Sequence, residues 1–235
     1  MKLKKKTYII AEVGNNHEGN FNIAKKLVDL ASKAGADAIK FQTFKTQNFI
    51  KKEDKKRFKQ LKKFELSYNQ FVILKKLAHK KKIDFISTPL DLESADFLLR
   101  HADAIKIASG DNNFFPLIEK VLFTKKPLII STGMTDIKDL KYLIKIIEKK
   151  IGKTKIKNKI YLLHCVTSYP VEDRYANLRS ISYLIKNLGI NIGYSDHTIG
   201  NEACLASVVL GSKIIEKHFT LDKNFSKFRD HALSA

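Results

Sequence analysis

The sequence predicts an α/β fold of the TIM (β/α)8 barrel class that lacks its last outer helix. Three observations carry that expectation. Eight apolar, β-branched runs recur, each followed by turn residues and, in most cases, by a segment of helical period. Eight is also the number of strands that closes such a barrel. Two histidines, His197 and His218, stand at the far ends of the last two runs, in NIGYSDHT and KIIEKHFT. Adjacent parallel strands would bring both imidazoles to one rim of the sheet.

The strand expectations, in chain order, are 8–13, 38–42, 84–88, 104–107, 128–131, 160–164, 191–195 and 213–218. Each is short, and most are rich in isoleucine, as buried parallel strands require. Between them the stretches 23–34, 68–80, 140–150 and 180–188 repeat apolar residues at helical spacing with lysines on the outer stripe. The segment 45–67 is long for a βα connection and carries the run KKEDKKRFKQLKK. It reads either as a mobile cover over the barrel mouth or as a solvated helix and loop. After the last strand the chain ends in KNFSKFRDHALSA, which leaves no room for an eighth outer helix. The chain therefore reads as a fragment of a longer protein, with 1–235 forming one barrel domain.

With 235 residues, 44% of them hydrophobic, the chain can bury a substantial core. Cys165 and Cys204 lie in apolar stretches without short spacing, so they read as reduced packing residues in a cytoplasmic protein. The start, MKLKKK followed by TYIIAEV, lacks the apolar run of a secretory leader. No run approaches the roughly 20 apolar residues of a membrane span. A formal net charge of +20 invites a nucleic-acid reading. Against it, the arginines are confined to Arg57, Arg100, Arg174, Arg179 and Arg229, whereas base and phosphate recognition favours guanidinium. The lysines read as solvated helix faces whose field draws in a small anion, and no specific nucleic acid or membrane partner is expected.

In a barrel the working residues gather at the C-terminal strand ends. Those positions hold Glu12, Lys40 with Gln42, Thr88, Lys106 with Ser109, Ser131, Tyr169, Ser195 with His197, and His218. Strand alternation puts Lys40 with Gln42 on one face, and Glu216 with His218. A lysine inside AIKF or AIKIAS must be paired or bound to an anion. Two such lysines and several hydroxyls would cradle phosphate and carboxylate; the alternative is that each lysine pairs with Glu12, Glu216 or an aspartate as structural support. The two histidines, likewise, read as a pair of metal ligands or as ordinary polar strand-end residues.

The stretches IIAEVGNNHEGN, AIKFQTF, FISTPLD, AIKIASGD, IISTGM, LLHCVTSYP, GYSDHTIG and IEKHFTLDK occur in that order, and together they resemble the sialic acid synthase family. Members of that family join phosphoenolpyruvate to a 2-acetamido sugar such as N-acetylmannosamine. The resemblance implies a TIM barrel followed by a small antifreeze-like domain, which is absent here, and a domain-swapped homodimer when full length. By motif, it implies that His197 and His218 hold Mn2+, with Mg2+ or Co2+ as alternatives. It implies that Lys40, Thr88, Lys106, Ser109, Ser131 and Ser195 cradle phosphoenolpyruvate, and that Glu12 acts beside the reacting carbons. Gln42, Asp111, Thr167, Tyr169 and Asp230 would face the N-acyl amino sugar. Three departures from the family pattern fall on the sugar side: Asp111 replaces a common glutamate, Thr167 an asparagine, and FSKFRDH the usual glycine and proline before the aspartate and histidine. Two other readings remain open. One is a different phosphoenolpyruvate-dependent aldol-type synthase, whose phosphorylated acceptor would need a second basic patch, although no arginine pair stands at a strand end. The other is a basic, non-catalytic barrel that binds polyanions.

Overall fold

The computed structural model describes residues 7–235. The MKLKKK segment, on which part of the leader argument rests, lies outside the described residues. Eight strands close a barrel in sequence order: β1 (Tyr8–Gly14), β2 (Ala38–Thr43), β3 (Asp84–Pro89), β4 (Ala104–Ile107), β5 (Leu128–Ser131), β6 (Ile160–His164), β7 (Asn191–Asp196) and β8 (Ile214–His218). All pairings are parallel, and β1 bonds to both β2 and β8. Every strand expectation is met to within one residue.

The helical layer comprises α1 (Phe21–Lys33), α2 (Thr46–Phe49), α3 (Lys55–Phe64), α4 (Tyr68–Lys80), α5 (Leu92–His101), α6 (Phe115–Leu122), α7 (Ile137–Ile151), α8 (Lys153–Lys159), α9 (Arg179–Leu188) and α10 (Glu202–Val209). Helix starts depart from the periodicity where side-chain caps decide them. Asn20 caps α1 by accepting from the Asn22 and Ile23 amides, and Asp136 forms a capping box with Asp139 that starts α7 three residues before the expected position. No helix is long and apolar enough to cross a membrane among the described residues.

Alternation along the strands divides the core in two. Ile10, Ala38, Ile86, Ala104, Ile129, Leu163 and Ile214 fill the barrel interior, while Ile39, Phe41, Phe85, Ile105, Ile130 and Ile215 face the helices. One step further along β1, β2, β4 and β8, the interior positions become Glu12, Lys40, Lys106 and Glu216, all buried. The barrel is thus apolar at its base and charged at its C-terminal end. Gly193 allows β7 to lie close to β8, since a Cβ there would meet the Ile214 carbonyl oxygen at 2.5 Å.

The 45–67 segment is helical and covers the mouth: Arg57, Gln60, Leu61 and Phe64 of α3 line the central cavity. No helix follows β8 in residues 219–235. Instead this segment turns back over the mouth. The Ala235 amide donates to the His218 carbonyl at 2.7 Å, and Asn16 Nδ2 donates to Ser234 Oγ at 3.1 Å. Ile9 of β1 is 40% exposed, and Val209 of α10 is 89% exposed.

His17, in the loop after β1, is buried with Nδ1 accepting from the Gly19 amide at 3.0 Å, while Nε2 has no partner. Burial lowers its pKa from 6.5 to about 4. As pH falls through 6.5 the unfolded chain takes up a proton that the folded ring refuses, so stability is lost between pH 6.5 and about 4. A shift of that size corresponds to about 3 kcal/mol. Chemical denaturation at pH 7 and pH 4 is expected to show wild type losing about that much more stability than His17→Gln; equal losses would contradict the assignment.

Candidate active site

A cavity of about 900 Å3 opens at the C-terminal end of the barrel, within the size range of small-molecule sites. Its floor is the charged interior layer. Lys40 Nζ lies 2.7 Å from Glu12 Oε2 and 3.6 Å from Glu216 Oε2, and 3.3 Å from Thr88 Oγ1. Lys106 Nζ donates to Ser131 Oγ at 2.6 Å and to the Ile107 carbonyl at 3.2 Å, but stands 3.8 Å from its nearest carboxylate, Glu216. Ser195 Oγ donates to Glu216 Oε1 at 2.9 Å. Each amine is thus paired, as a charge inside an apolar run requires, and Lys106 keeps the looser pairing.

The four buried charges do not share protons equally. Burial, with the repulsion of Glu216, raises the Glu12 pKa to about 7 against the pull of Lys40. Burial also acts to raise Glu216, yet Lys106 and Lys40 outweigh it and hold that carboxyl below its ordinary value. Lys40, despite burial, is pushed upward by Glu12 and Glu216, whereas burial and the neighbouring Lys40 leave Lys106 lowered. A carboxyl with its pKa near neutrality, in the same layer as a weakly compensated ammonium, suits general acid–base work on a bound anion.

Above the floor stand the histidines, with ring centroids 5.6 Å apart. His197 Nδ1 donates to the Val166 carbonyl at 2.7 Å, which leaves Nε2 with its lone pair available. Nδ1 of His218 is buried without a hydrogen-bond partner, with Asp230 Oδ2 at 3.9 Å. Burial lowers the pKa of both rings, so both are neutral, the form that ligates metals. Two neutral imidazoles, one without a hydrogen-bond partner, fit a divalent cation. Among the described residues no group of three or more histidine, cysteine or acidic side chains is placed to hold a metal ion, so the pair would supply two ligands and leave the other positions to substrate or water. Tyr169 packs 4.1 Å from the His197 ring, and Arg229 lies 4.6 Å over the Tyr169 ring.

The cavity wall brings together Glu12, Lys40, Gln42, Thr88, Lys106, Ser109, Ser131, Thr167, Tyr169, Ser195, His197, His218 and Asp230. Asp111 is the exception. It closes a short 3-10 turn (Ser109–Asp111), where Ser109 and Gly110 line the cavity and Asp111 does not. Asp111 is half-buried at the edge of the cavity, with Lys106 near enough to act on its carboxyl, and its place beside the sugar stays a proposal. The cysteines are free, as expected, but their surroundings are more polar than expected: Cys165 Sγ is 3.0 Å from Ser109 Oγ, and Cys204 Sγ donates to Asp196 Oδ2 at 3.2 Å.

Sequence reasoning missed Asn15, Arg57, Phe64, Lys227 and Phe228, all of which line the cavity. None stands at a strand end. Asn15 donates to Gln42 Oε1 at 2.7 Å, and Phe64 of α3 meets Phe228 edge-on at 5.3 Å, joining two segments far apart in the chain. The GNNH turn directly after β1 was the one available signal, for Asn15.

A model of the NeuB family matches residues 27–235. An uncharacterized protein of Methanocaldococcus jannaschii is 49% identical over 97% of this chain and 66% of its own. The N,N'-diacetyllegionaminic acid synthase of Campylobacter jejuni is 42% identical over 94% of this chain and 70% of its own. The chain thus spans about two thirds of the length of these curated relatives. Among solved structures, the N-acetylneuraminic acid synthetase of Leptospira borgpetersenii, in complex with citrate, superposes with a TM-score of 0.91 at 35% identity, covering 98% of this chain and 78% of that one. On the family match and these identities, the chain belongs to the NeuB family of sialic acid synthases.

Proposed function

We propose that this barrel is the catalytic part of a nonulosonic acid synthase that condenses phosphoenolpyruvate with the open-chain aldehyde of an N-acyl amino sugar and releases phosphate. The observation that carries the reading is the convergence, at one barrel mouth, of two buried lysines, a carboxyl near neutrality and a neutral histidine pair in a NeuB-family chain. Phosphoenolpyruvate is a compact polyanion, and Lys40 and Lys106 with Thr88, Ser109, Ser131 and Ser195 supply charge and hydroxyl donors to hold it. In the reaction C3 of phosphoenolpyruvate bonds to the aldehyde carbon, water adds at C2, and the C–O bond to phosphate breaks. Glu12, with its pKa at about 7, is suited to take a proton from the incoming water. Gln42, Thr167, Tyr169 and Asp230 line the remaining wall, where the acyl-amino sugar would lie.

His197 and His218 would hold the divalent ion, Mn2+ with Mg2+ or Co2+ as alternatives. Bound there, such an ion supplies Lewis-acid polarisation of the aldehyde oxygen. The proposal includes a homodimer for the full-length protein and a cytoplasmic setting, which the free thiols of Cys165 and Cys204 favour.

One observation favours a second reading of the acceptor. Arg57, Lys227 and Arg229 line the cavity at its mouth, supplying the extra basic patch that a phosphorylated sugar would require, although from α3 and the last segment of the chain rather than from strand ends. The acceptor is tested by phosphate release from phosphoenolpyruvate with Mn2+, using 2,4-diacetamido-2,4,6-trideoxymannose, N-acetylmannosamine and N-acetylmannosamine 6-phosphate in parallel. The first reading expects turnover with an unphosphorylated sugar. Turnover with the phosphorylated sugar alone would replace it with the second.

A further inference from the structure

Behind the two histidines, on the outer face of the sheet, lies a polar cluster that the proposed reaction does not use. Strand alternation points Ser195, Glu216 and His218 into the barrel and Asp196 and Lys217 out of it. The 3.2 Å contact of Asp196 with Cys204 of α10 agrees with that placement. Asp196 is completely buried and Lys217 is 8% exposed. Asp196 Oδ1 accepts from Tyr194 Oη at 3.0 Å, the Thr198 amide at 2.9 Å and Thr198 Oγ1 at 2.8 Å. Asp196 Oδ2 accepts from Lys217 Nζ at 2.7 Å. Lys217 Nζ also donates to the Thr198 carbonyl at 2.8 Å.

These bonds close a loop around His197. The residues on both sides of it, 196 and 198, are tied to one ammonium, and that ammonium belongs to the residue immediately before His218. The hold extends to the next loop, where the Val171 amide donates to the His197 carbonyl at 2.8 Å. The two imidazoles differ in what aims them. His197 has a ring partner of its own, the Val166 carbonyl, whereas His218 has none at Nδ1. A ligand histidine ordinarily relies on such a partner to fix its ring. For His218 the fixed backbone at 217–218 takes over that task.

We infer that the buried Asp196–Lys217 pair is a positioning element that holds the imidazoles of His197 and His218 in register for a divalent cation. The inference rests on the metal reading above and goes beyond it, because neither residue faces the cavity. Loss of an outer-shell group that bonds a ligand directly weakens metal affinity by about 10–100-fold; this pair acts through the backbone on two ligands at once, and a loss on that scale is the expected effect.

Manganese chloride titrated into chelator-stripped protein, followed by calorimetry, tests it. Lys217→Met keeps the aliphatic stem and removes the charge; its Mn2+ affinity is expected to fall about 10–100-fold, while Lys217→Arg, which can still donate to both Asp196 and the Thr198 carbonyl, restores most of it. Lys217→Met leaves Asp196 buried without its cation, so it can fail to fold. Asp196→Asn with Lys217→Met avoids this, because the asparagine Oδ1 still accepts the three Oδ1 bonds while the cross-strand tie is lost. That double variant is expected to melt close to wild type and to bind Mn2+ weakly. A folded double variant with wild-type affinity would overturn the positioning role and leave the metal reading intact. Failure of wild type itself to bind Mn2+ would overturn both.

Discussion

His218→Ala is expected to abolish metal-dependent turnover while the barrel remains folded. His218 carries no hydrogen bond from its ring to lose, and its neutral state means that no buried charge is stranded by its removal. The fold cost is therefore confined to lost ring contacts with Tyr169 and His197. The functional cost is much larger, because Lewis-acid polarisation contributes several kcal/mol of transition-state stabilisation, on the order of a thousandfold in rate. Steady-state phosphate release with Mn2+, set beside the circular-dichroism melt of the same variant, separates the two effects. Near-normal turnover with an unchanged metal requirement would reject the ligand assignment.

Lys106→Met is expected to raise the KM for phosphoenolpyruvate by about 10–100-fold, the loss of one to two charge-assisted hydrogen bonds. The melting temperature should also fall, because Lys106 is foremost among the cations that hold the buried Glu216 carboxyl below its ordinary pKa, and removing one partner of a buried charge group strands the other. Lys40, 3.6 Å from Glu216, remains beside that carboxyl, so the barrel is expected to stay folded. An unchanged KM would remove Lys106 from the anion cradle.

Much of this architecture was legible in the chain because parallel barrel strands are short, isoleucine-rich and repeated. The strand runs reproduce the sheet because a buried strand has little freedom in composition. The floor of the site was legible for the same reason: Lys40, Lys106 and Glu216 interrupt apolar runs, and a charge inside such a run must be either paired or functional. The roof was not legible. Arg57, Phe64, Lys227 and Phe228 reach the cavity from α3 and the residues after β8, and nothing in local sequence indicates that Phe64 will meet Phe228. Such contacts depend on how loops close over the mouth, which periodicity does not encode. Helix starts such as that of α7 were set by capping side chains rather than by apolar spacing.

A condensation is read most plainly from its stoichiometry. The chain, saturated with Mn2+ and phosphoenolpyruvate, is mixed with each N-acyl amino sugar, and phosphate release is measured alongside the product mass. One phosphate is expected per 2-keto acid formed, with a product mass equal to sugar plus phosphoenolpyruvate plus water less phosphate, and no release without sugar. Phosphate release that proceeds without a sugar, or a metal-loaded and folded chain that forms no such product with any of them, would contradict the condensation.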